Sequence, residues 1–487
     1  MGIKVYNTAT RNKEIFEPLN AGKVGIYVCG VTVYDLCHIG HARSAIVFDV
    51  LVRYLRAQGF DVTYVRNFTD VDDKIIQRAN ELGKETSDIA RQYIEAFNQD
   101  MERIGVLKAD HEPKATEFIP EMIRMIEALL AGGYAYSVEN DVYYAVEAFE
   151  DYGGLSGRKL DDMRAGSRIE VDQKKRHPMD FTLWKSAKPG EPQWPSPWGP
   201  GRPGWHLECS VMSNHFLGPT FDIHGGGRDL LFPHHENERA QSIAANGGQF
   251  ARYWVHNGFV TVESEKMSKS LGNFLTIRDA LETYHPEVLR LFLLSKHYRS
   301  PLDFSKNDVL NLQSGLVRIY RALERMETIL GPAQFEGEDP RFLSLQKTDS
   351  ENPFIDGFTQ FMDDDLNTAG AVGLVFEKVR AINRIMDAGG DALDTDARRT
   401  LEQNRMDLLR IGEVLGLLKE TPAVFFDQLS GSSKTPDPAE IEQMVEERRV
   451  ARSQKDWAKA DDIRAQLQDM GVVLEDGPQG TTWRLDV

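Results

Sequence analysis

The sequence predicts an α/β protein: a doubly wound parallel nucleotide-binding sheet of the Rossmann-like kind, with an insertion, followed by a helical bundle and a small C-terminal domain. Residues 25–29 and 61–67 show the apolar alternation typical of strands, and helically spaced apolar residues lie between them. A second strand-turn-helix pattern starts at residue 220. From about residue 305 the pattern becomes helical, which indicates a separate helical region behind the sheet.

The first part of the sheet is a βαβ unit. A strand over residues 25–29 leads through a loop to a helix over 42–58, and 61–67 is the next strand. A unit of this kind makes its two strands parallel. Because ligands bind at the carboxyl ends of parallel strands, Cys29 and the loop to His41 are expected at the binding crevice.

The second part of the sheet follows a segment rich in proline and glycine. Residues 189–204 contain six prolines and four glycines, too many for a helix or a central strand, so we expect a loop that leads back to the core. Residues 220–224 are predicted as a strand, 225–227 as a glycine turn and about 233–246 as a helix. Residues 110–200 are therefore interpreted as an insertion between two halves of one fold.

The remainder of the chain is predicted to be mostly helical. Amphipathic stretches cover residues 309–330, 361–387 and 398–418. Residues 430–438 have the composition of a flexible linker. A single helix is predicted over 439–470, before a small terminal unit.

Composition limits the classes of protein and partner. The chain has 487 residues, enough for about two to four domains, and its 57 basic and 75 acidic residues give a net charge of −18. Any polyanionic partner must therefore meet local basic patches. There is no apolar stretch typical of a secretory signal or a membrane span, so we expect a cytoplasmic protein without membrane contact. Its three cysteines, Cys29, Cys37 and Cys209, are then thiols or metal ligands.

The first motif that indicates chemistry is His38-Ile39-Gly40-His41, between the first strand and its helix. A helix start favours phosphate, and Gly40 leaves room for a base or ribose against the backbone. His38 and His41 are three residues apart and can donate hydrogen bonds to the same phosphate. The alternative is a pair of surface histidines at a helix cap.

The second motif is Lys266-Met267-Ser268-Lys269-Ser270, in a small, polar, loop-like setting. Two ammonium groups on a mobile loop can close on a triphosphate and neutralise the charge of departing pyrophosphate. Because Glu263 and Glu265 precede the motif, the alternative is a solvated turn of mixed charge.

The two motifs, in this order, resemble the signatures of class I aminoacyl-tRNA synthetases. The segments 27–35, 204–210 and 222–238 resemble the cysteine-specific members, and the likeness runs from about residue 2 to the C-terminus. This resemblance implies a ligase that activates L-cysteine with ATP and Mg²⁺ and transfers it to tRNA(Cys), without an editing domain. It implies catalytic roles for four residues: His38, His41, Lys266 and Lys269. It implies ATP binding by the same four residues with three others: Gly40, Asp229 and Ser268.

The resemblance also implies one Zn²⁺ per chain, bound by Cys29, Cys209, His234 and Glu238 and completed by the thiolate of the substrate. Zinc favours sulfur over a hydroxyl group, which explains how serine is rejected. His235 could replace His234, and Glu236 could replace Glu238, although the four-residue spacing favours the first pair. With five ligands in the bound state, we expect either a five-coordinate ion or one weak ligand, Glu238.

Three further residues are expected around the amino-acid pocket with Cys29: Thr69, Trp205 and His224. Each has an ordinary core position as its alternative. Asp229 follows the triple glycine, where it could bind ribose or amino hydrogens or could cap a helix.

The resemblance implies that the C-terminal unit binds the anticodon. A basic stripe is predicted at helical spacing, consisting of Arg448, Arg452, Lys455 and Lys459, with a solvated helix as its alternative.

The chain is predicted to divide as follows: 1–120 and 204–262 the catalytic halves, 121–203 the connective insertion, 263–315 the signature loop and stem-contact region, 316–425 the helical bundle, and 426–487 the linker and anticodon-binding domain. We expect a monomer. The rival interpretations are a paralogue that joins cysteine to an amino sugar, which would not need the basic C-terminal helix, and a catalytically silent zinc-dependent RNA-binding protein.

Overall fold

An antiparallel hairpin, β1 (Lys4–Asn7) and β2 (Asn12–Ile15), precedes a parallel sheet in the computed structural model. The structure describes residues 2–159, 174–263, 265–266, 274–332, 345, 352–389, 393–432, 438–453, 456–469, 472–477 and 480–485. The first two parallel strands are β3 (Lys23–Thr32) and β4 (Asp61–Thr69), joined by helix α1 (Ile39–Ala57). The predicted βαβ unit is therefore confirmed.

Two of its boundaries differ from the prediction in ways that matter for the site. Strand β3 continues three residues past Cys29, with an irregular register between Val28 and Val31, so Cys29 lies inside the strand and not at its end. Helix α1 starts three residues earlier than predicted, because His38 serves as its N-cap and accepts a hydrogen bond from the Gly40 N–H group.

The insertion between the two halves of the sheet has its own antiparallel sheet. Helices α2 (Asp73–Leu82) and α3 (Thr86–Arg103) follow β4 and pack in the same cluster as α1, and a 3₁₀ turn over Ala115–Phe118 and helix α4 (Ile119–Ala131) then lead into the insertion. Four antiparallel strands follow: β5 (Ala135–Val138), β6 (Asp141–Tyr144), β7 (Phe181–Ser186) and β8 (Gly201–Pro203). The proline-rich segment thus ends in an edge strand, the position in a sheet that proline tolerates.

The second half of the parallel sheet consists of α5 (Trp205–Leu217), β9 (Thr220–Gly227), α6 (Glu236–Asn246) and β10 (Phe250–Asn257). A π-helical turn, Leu231–His235, precedes α6. The order β10-β9-β3-β4, with all neighbours parallel, confirms the predicted doubly wound class.

The predicted glycine turn at 225–227 is wrong, because these residues complete β9 and pair with 255–257 of β10. A Cβ atom at Gly226 would lie 2.8 Å from the His235 ring, and one at Gly225 would meet the ring of Phe48. Glycine is required here so that helices can pack closely on the strand, not for a turn.

The sheet buries both faces in separate hydrophobic clusters. Residues 24, 26 and 28 of β3 pack with α1 and the helices that follow the sheet, whereas residues 27 and 29 face α5 and the insertion. In β4, Tyr64 and Phe68 belong to the first cluster and Val65 to the second. Alternation along a strand therefore places Asn67 and Thr69 on the same face as Cys29.

A small three-stranded sheet and two short helices connect the catalytic sheet to the helical region. The strands are β11 (Val260–Val262), β12 (Glu265–Lys266) and β13 (Leu302–Phe304), and the helices are α7 (Ile277–Thr283) and α8 (Pro286–Leu294).

In the described parts of residues 306–432, the bundle consists of five helices, namely α9 (Lys306–Leu330), α10 (Pro353–Asp363), α11 (Thr368–Gly389), α12 (Thr395–Leu415) and α13 (Pro422–Ser432). The amphipathic stretch predicted over 361–387 is divided between two helices. The chain breaks between α10 and α11, where Asp365 and Leu366 have φ of 65° and 52°. The Asp365 carboxylate accepts hydrogen bonds from the Tyr6 N–H group and the Tyr298 hydroxyl, which fixes the break against the catalytic domain.

The C-terminal unit consists of α14 (Pro438–Ser453), α15 (Trp457–Asp469), β14 (Val472–Gly477) and β15 (Gly480–Leu485). The predicted single helix over 439–470 is therefore wrong, and the Asp456 carboxylate accepts from the Lys459 N–H group at the start of the second helix. Of the predicted linker, residues 430–432 belong to α13, and 433–437 lie outside the described residues. Among the helices that the structure describes, none is long and apolar enough to cross a membrane.

Candidate active site and metal centre

Two cysteines, a histidine and a glutamate from four separate segments meet on one face of the sheet. Cys29 comes from β3, Cys209 from α5, His234 from the π-helical turn and Glu238 from α6. The Cys29 sulfur lies 3.4 Å from the Cys209 sulfur and 3.3 Å from Glu238 Oε1. His234 Nε2 lies 3.7 Å from the Cys209 sulfur and 2.9 Å from Glu238 Oε1. The structure thus brings together the four predicted metal ligands, with all four donor atoms within 4.8 Å of one another.

The spacing of these atoms fits a tetrahedral Zn²⁺ site. Donors about 2.0–2.3 Å from a tetrahedral zinc ion are separated by about 3.3–3.8 Å. Three of the distances, 3.3, 3.4 and 3.7 Å, fall in this interval, and the shorter His234–Glu238 distance is that of a hydrogen bond between imidazole and carboxylate. Thiolate, imidazole and carboxylate are also the donor types that zinc takes in proteins.

The two alternative ligands have other partners. His235 Nδ1 lies 2.8 Å from His256 Nε2, and the Glu236 carboxylate accepts a hydrogen bond of 2.7 Å from the Ser156 N–H group of the insertion. Glu236 therefore faces away from the cluster. His235 belongs to a second possible ligand group, made of Cys29, His224, His235 and Glu238. That group contains one sulfur donor, whereas the first contains two.

The predicted pocket residues Trp205 and His224 both contact metal-set residues. The Trp205 ring stacks on His234 with centroids 4.1 Å apart, and it is 38% exposed, so it covers the cluster on the solvent side. His224 is fully buried, and its Nε2 lies 2.8 Å from Glu238 Oε2, which leaves Glu238 Oε1 toward the sulfurs. His206 holds the other nitrogen of His234 through a 2.9 Å hydrogen bond. Partners of this kind orient metal ligands.

The electrostatics of the cluster favour anionic sulfur at one cysteine. Burial opposes ionisation of Cys209, but the Cys29 thiol and then His234 lower its pKa to about 7. Burial, followed by the charge of Cys209, raises the pKa of Cys29 well above its usual value. Burial alone would raise the pKa of Glu238, yet His234 and His224 hold it well below the usual range. The same carboxylate outweighs the burial of His234 and raises its pKa to about 10.

Thr69, the third predicted pocket residue, ends β4 beside the cluster and is bonded to a buried acid. Its hydroxyl donates a 2.6 Å hydrogen bond to Glu208 Oε2, and both residues are almost fully buried. Asn67, two residues earlier, accepts from the Gly30 N–H group at 2.8 Å and lies 3.7 Å from the Cys209 sulfur through the same oxygen. Sequence reasoning missed Asn67, Glu208 and His206, although strand alternation from Cys29 could have indicated Asn67.

The two histidines of the first motif stack on each other in the first turn of α1. Their ring centroids are 3.8 Å apart. His38 Nδ1 accepts from the Gly40 N–H group, and His41 Nδ1 accepts from the His38 N–H group at 3.2 Å. In a neutral ring the proton then lies on Nε2, so each ring presents an N–H donor on its other edge. Burial, with the nearby charges of His38 and Lys74, lowers the pKa of His41 to about 3, so His41 is neutral at physiological pH.

The second motif begins at Lys266, the last residue of β12, and the described chain resumes at residue 274 beside the first motif. Lys266 pairs with Thr261 through the backbone of β12, and the placement of its side chain is not described. Ser268 and Lys269 lie outside the described residues. The chain that follows the motif pairs with the His38 segment: the Ile39 N–H group donates to Leu275 O at 3.1 Å and the Ile277 N–H group donates to Cys37 O at 2.9 Å. Residues 275–277 are therefore hydrogen-bonded to the start of α1.

Asp229 lies in the exposed turn that follows β9, at the carboxyl edge of the sheet. It does not cap the helical turn over Leu231–His235, whose N-cap is Leu230. The cap alternative is therefore not realised at this turn, and the binding of ribose or amino hydrogens by Asp229 stays a prediction.

The predicted basic stripe is not continuous. Arg448 is buried, with 6% exposure, whereas Arg452 and Lys459 are exposed on α14 and α15 respectively, and Lys455 lies outside the described residues. The physical reason is that the chain breaks after α14 and α15 packs against it, so one face of α14 is buried and cannot belong to an exposed stripe.

Comparisons with known proteins agree with this geometry. A family described as the tRNA synthetases class I (C) catalytic domain matches residues 15–314, a DALR domain matches 357–419 and a cysteinyl-tRNA ligase anticodon binding domain matches 436–484. The chain is 53% identical over 493 residues to a cysteine–tRNA ligase of Pelobacter propionicus and 52% identical over 488 residues to one of Geobacter sulfurreducens, with 100% of both chains covered in each case. In fold it is similar to Mycobacterium tuberculosis methionyl-tRNA synthetase in complex with methionyl-adenylate, with a TM-score of 0.62 at 16% identity, covering 86% of this chain and 94% of that one.

Proposed function

The chain belongs to the class I aminoacyl-tRNA synthetases and, within them, to the cysteine–tRNA ligases, and on this premise we propose how its residues join L-cysteine to tRNA(Cys). The observation that carries the proposal is the convergence of Cys29, Cys209, His234 and Glu238 on one point of the catalytic crevice. The reaction is an ATP-dependent ligation in two steps, activation of the amino acid and transfer to the tRNA.

Selection of cysteine depends on the metal that these four residues would hold. When bound there, Zn²⁺ supplies a partner that accepts a thiolate far more readily than the hydroxyl group of serine. Trp205 stacks on His234 and shields the cluster from water, and His224 fixes the Glu238 carboxylate. A preference of about 10⁴-fold over serine corresponds to about 5.5 kcal/mol, and a lost metal–sulfur interaction can supply that difference without editing.

In the activation step, the cysteine carboxylate attacks the α-phosphorus of ATP and pyrophosphate leaves. The Nε2–H groups of His38 and His41 donate to phosphate oxygens as negative charge builds on them. Gly40 gives the nucleotide access to the backbone at the start of α1, and Asp229 binds its ribose at the end of β9. Lys266, Ser268 and Lys269 act from the signature loop on the departing phosphates, which Mg²⁺ accompanies.

In the transfer step, a terminal ribose hydroxyl of the tRNA attacks the cysteinyl adenylate and AMP leaves. We assign the helices from α9 to α13 to the stem of the tRNA and the unit from α14 to β15 to its anticodon. Arg452, Lys455 and Lys459 are proposed as phosphate contacts, with Arg448 supporting them from within the unit. The protein is proposed to act as a monomer in the cytoplasm.

The test is cysteine-dependent exchange between ATP and pyrophosphate, measured on protein of known metal content. We expect exchange with zinc-loaded protein, loss after chelation and recovery when Zn²⁺ is added back. Serine should support exchange at least about 10⁴-fold less efficiently. Exchange that survives complete removal of the metal, with cysteine still preferred, would contradict the assignment of specificity to the four ligands.

A further inference from the structure

Arg43 is a fully buried arginine two residues after the second histidine of the first motif, and the mechanism above gives it no role. Burial lowers its pKa to about 10, so it is still a cation at physiological pH. In the part of the chain that the structure describes, none of its hydrogen bonds goes to a carboxylate. A buried charge without a counter-charge is costly, so the presence of this residue is explained by what its N–H donors bind.

The guanidinium group of Arg43 binds backbone carbonyl groups of two segments that are distant from α1 in the chain. Nη1 donates to Phe259 O at 2.7 Å, just before β11. Nη2 lies 3.3 Å from the carbonyl oxygens of His297 and Tyr298 and donates to Ser300 O, just before β13. The donors of a guanidinium group are fixed in one plane, so they hold both segments at a set position relative to α1, which the single ammonium group of a lysine would not do.

The two segments that Arg43 binds lead directly into the small sheet that carries the start of the second motif. Strand β13 pairs with β11, and β11 pairs with β12, whose last residue, Lys266, begins the motif. The segments approach each other closely, since a Cβ atom at Gly258 would lie 2.6 Å from Ser300 O. Arg43 therefore determines where the chain that enters the second motif lies relative to α1.

The chain that leaves the second motif is also bound to α1. The Ile39 N–H group donates to Leu275 O, and the Ile277 N–H group donates to Cys37 O. Both described flanks of the motif are thus fixed to the helix that carries the catalytic histidines, one by backbone hydrogen bonds and the other by Arg43. In the proposed mechanism the two motifs act on one chain of phosphates, so their relative position determines how well they stabilise the transition state.

We propose that Arg43 is a positioning residue that sets the second motif against the first for the departure of pyrophosphate. It acts through the starts of β11 and β13 and not by contact with the substrates. Helix α1 packs on the opposite face of the sheet from the metal set, so the binding of the amino acid does not depend on Arg43. This inference rests on the proposed function, since it assumes that the second motif acts on ATP.

The test measures cysteine-dependent exchange between ATP and pyrophosphate, together with zinc content and cysteine affinity, in Arg43→Lys. We expect the kcat of exchange to fall about ten- to a hundred-fold, the loss that a displacement of catalytic groups by about 1 Å produces, while zinc content and cysteine affinity stay unchanged. Gly258→Ala pushes the same two segments apart without altering Arg43, and it should give the same selective loss of kcat. If Arg43→Lys does not fold, Gly258→Ala carries the test.

Arg290→Lys is the matched control, because Arg290 is almost equally buried and also donates to backbone carbonyl groups, but at the junction with the bundle. It should lower the melting temperature and, below that temperature, leave the kcat of exchange unchanged.

A double-mutant cycle separates positioning from a general loss of structure. Lys269→Ala removes an ammonium group of the second motif, so adding Arg43→Lys or Gly258→Ala to it should lower kcat by a smaller factor than in the original protein. Equal factors in the two backgrounds overturn the proposal, as does an unchanged kcat in Arg43→Lys or a loss of cysteine affinity as large as the loss of kcat. Absence of cysteine-dependent exchange in the original protein would instead contradict the proposed function itself.

Discussion

A buried charge cluster joins the catalytic sheet to the helical bundle, and we predict that Asp49→Asn will destabilise both. Asp49, on α1, accepts hydrogen bonds from Arg53 at 2.8 Å, from Arg290 of α8 and from the Leu107 N–H group at 2.9 Å. Arg290 also donates to Leu415 O, at the end of α12, at 2.7 Å. Each of the three charged side chains is at most 8% exposed.

The expected magnitude follows from removing one charge of a buried set. Asparagine has nearly the same shape, but it leaves the Arg290 guanidinium group without its counter-charge and Arg53 with only Glu413, at 3.4 Å, which costs about 3–5 kcal/mol. This corresponds to a fall in melting temperature of at least about 6 °C for the transition that contains the catalytic domain. Because the cluster sets the bundle against the sheet, we also expect tRNA charging to fall more than ATP–pyrophosphate exchange.

The assay is calorimetric melting of Asp49→Asn beside Glu324→Gln, which breaks an exposed ion pair with Arg321 and should cost at most about 0.5 kcal/mol. The pH dependence gives a second check. Burial alone would raise the pKa of Asp49, but Arg290 and Arg53 hold it below its usual range. The stabilisation is therefore present above the unfolded carboxyl pKa of about 3.9 and is lost as pH falls through the folded value. If Asp49→Asn melts like Glu324→Gln, the cluster does not stabilise the junction and the reasoning is refuted.

Three further changes test the site itself. Cys209→Ser should lower the zinc content and the affinity for cysteine, because it removes a sulfur donor, and should leave the affinity for ATP unchanged. Cys37→Ser, outside the metal set, is the control. A parallel loss of ATP binding in Cys209→Ser would mean that Cys209 has a structural role. His41→Asn should slow ATP–pyrophosphate exchange about 100-fold without changing its pH profile between 6 and 8, because a pKa of about 3 keeps His41 neutral in that range. If the exchange rate of the original protein falls toward pH 6 and that of the variant does not, this assignment is contradicted. Burial, followed by the charge of His224, lowers the pKa of His256 to about 3, so the stability of the fold decreases as pH drops from about 6.5 toward 3. When unfolded at pH 5, His256→Asn should take up about one proton fewer than the original protein, as measured by pH-stat. Equal proton uptake by the two proteins would rule out the assigned pKa shift.

The sequence predicted the parts of the fold in which local pattern and tertiary role coincide. Strands β3 and β4 alternate because both of their faces are buried in different clusters, and α1 carries the apolar spacing of a helix packed on a sheet. The predicted ligands Cys29, Cys209, His234 and Glu238 came from family motifs, and the structure places them together. Residue spacing alone would not have predicted this ligand set, because the two cysteines are 180 residues apart in the chain.

The predictions that were wrong are those in which a residue's usual local meaning was overridden by a distant contact. The glycines at 225–227 indicate a turn, but they are required because Phe48 and His235 pack against the strand. The break at Asp365 interrupts an amphipathic pattern because its carboxylate and backbone bind residues near the N-terminus. Arg448 is buried on α14, against which α15 packs after the break between the two helices. None of these contacts has a signature in the neighbouring sequence.

Glu208 and Glu236 show why the buried acids near the metal set could not be ranked from sequence. Both are next to a ligand residue or within two positions of one, and both are almost fully buried. Glu236 is satisfied by the N–H group of Ser156, so it ties the insertion to the helix that carries Glu238. Glu208 retains an oxygen with no such partner in the described chain. The difference lies in the hydrogen-bond partners that each carboxylate has found, which depend on segments distant in the chain, and so only the assembled structure shows it.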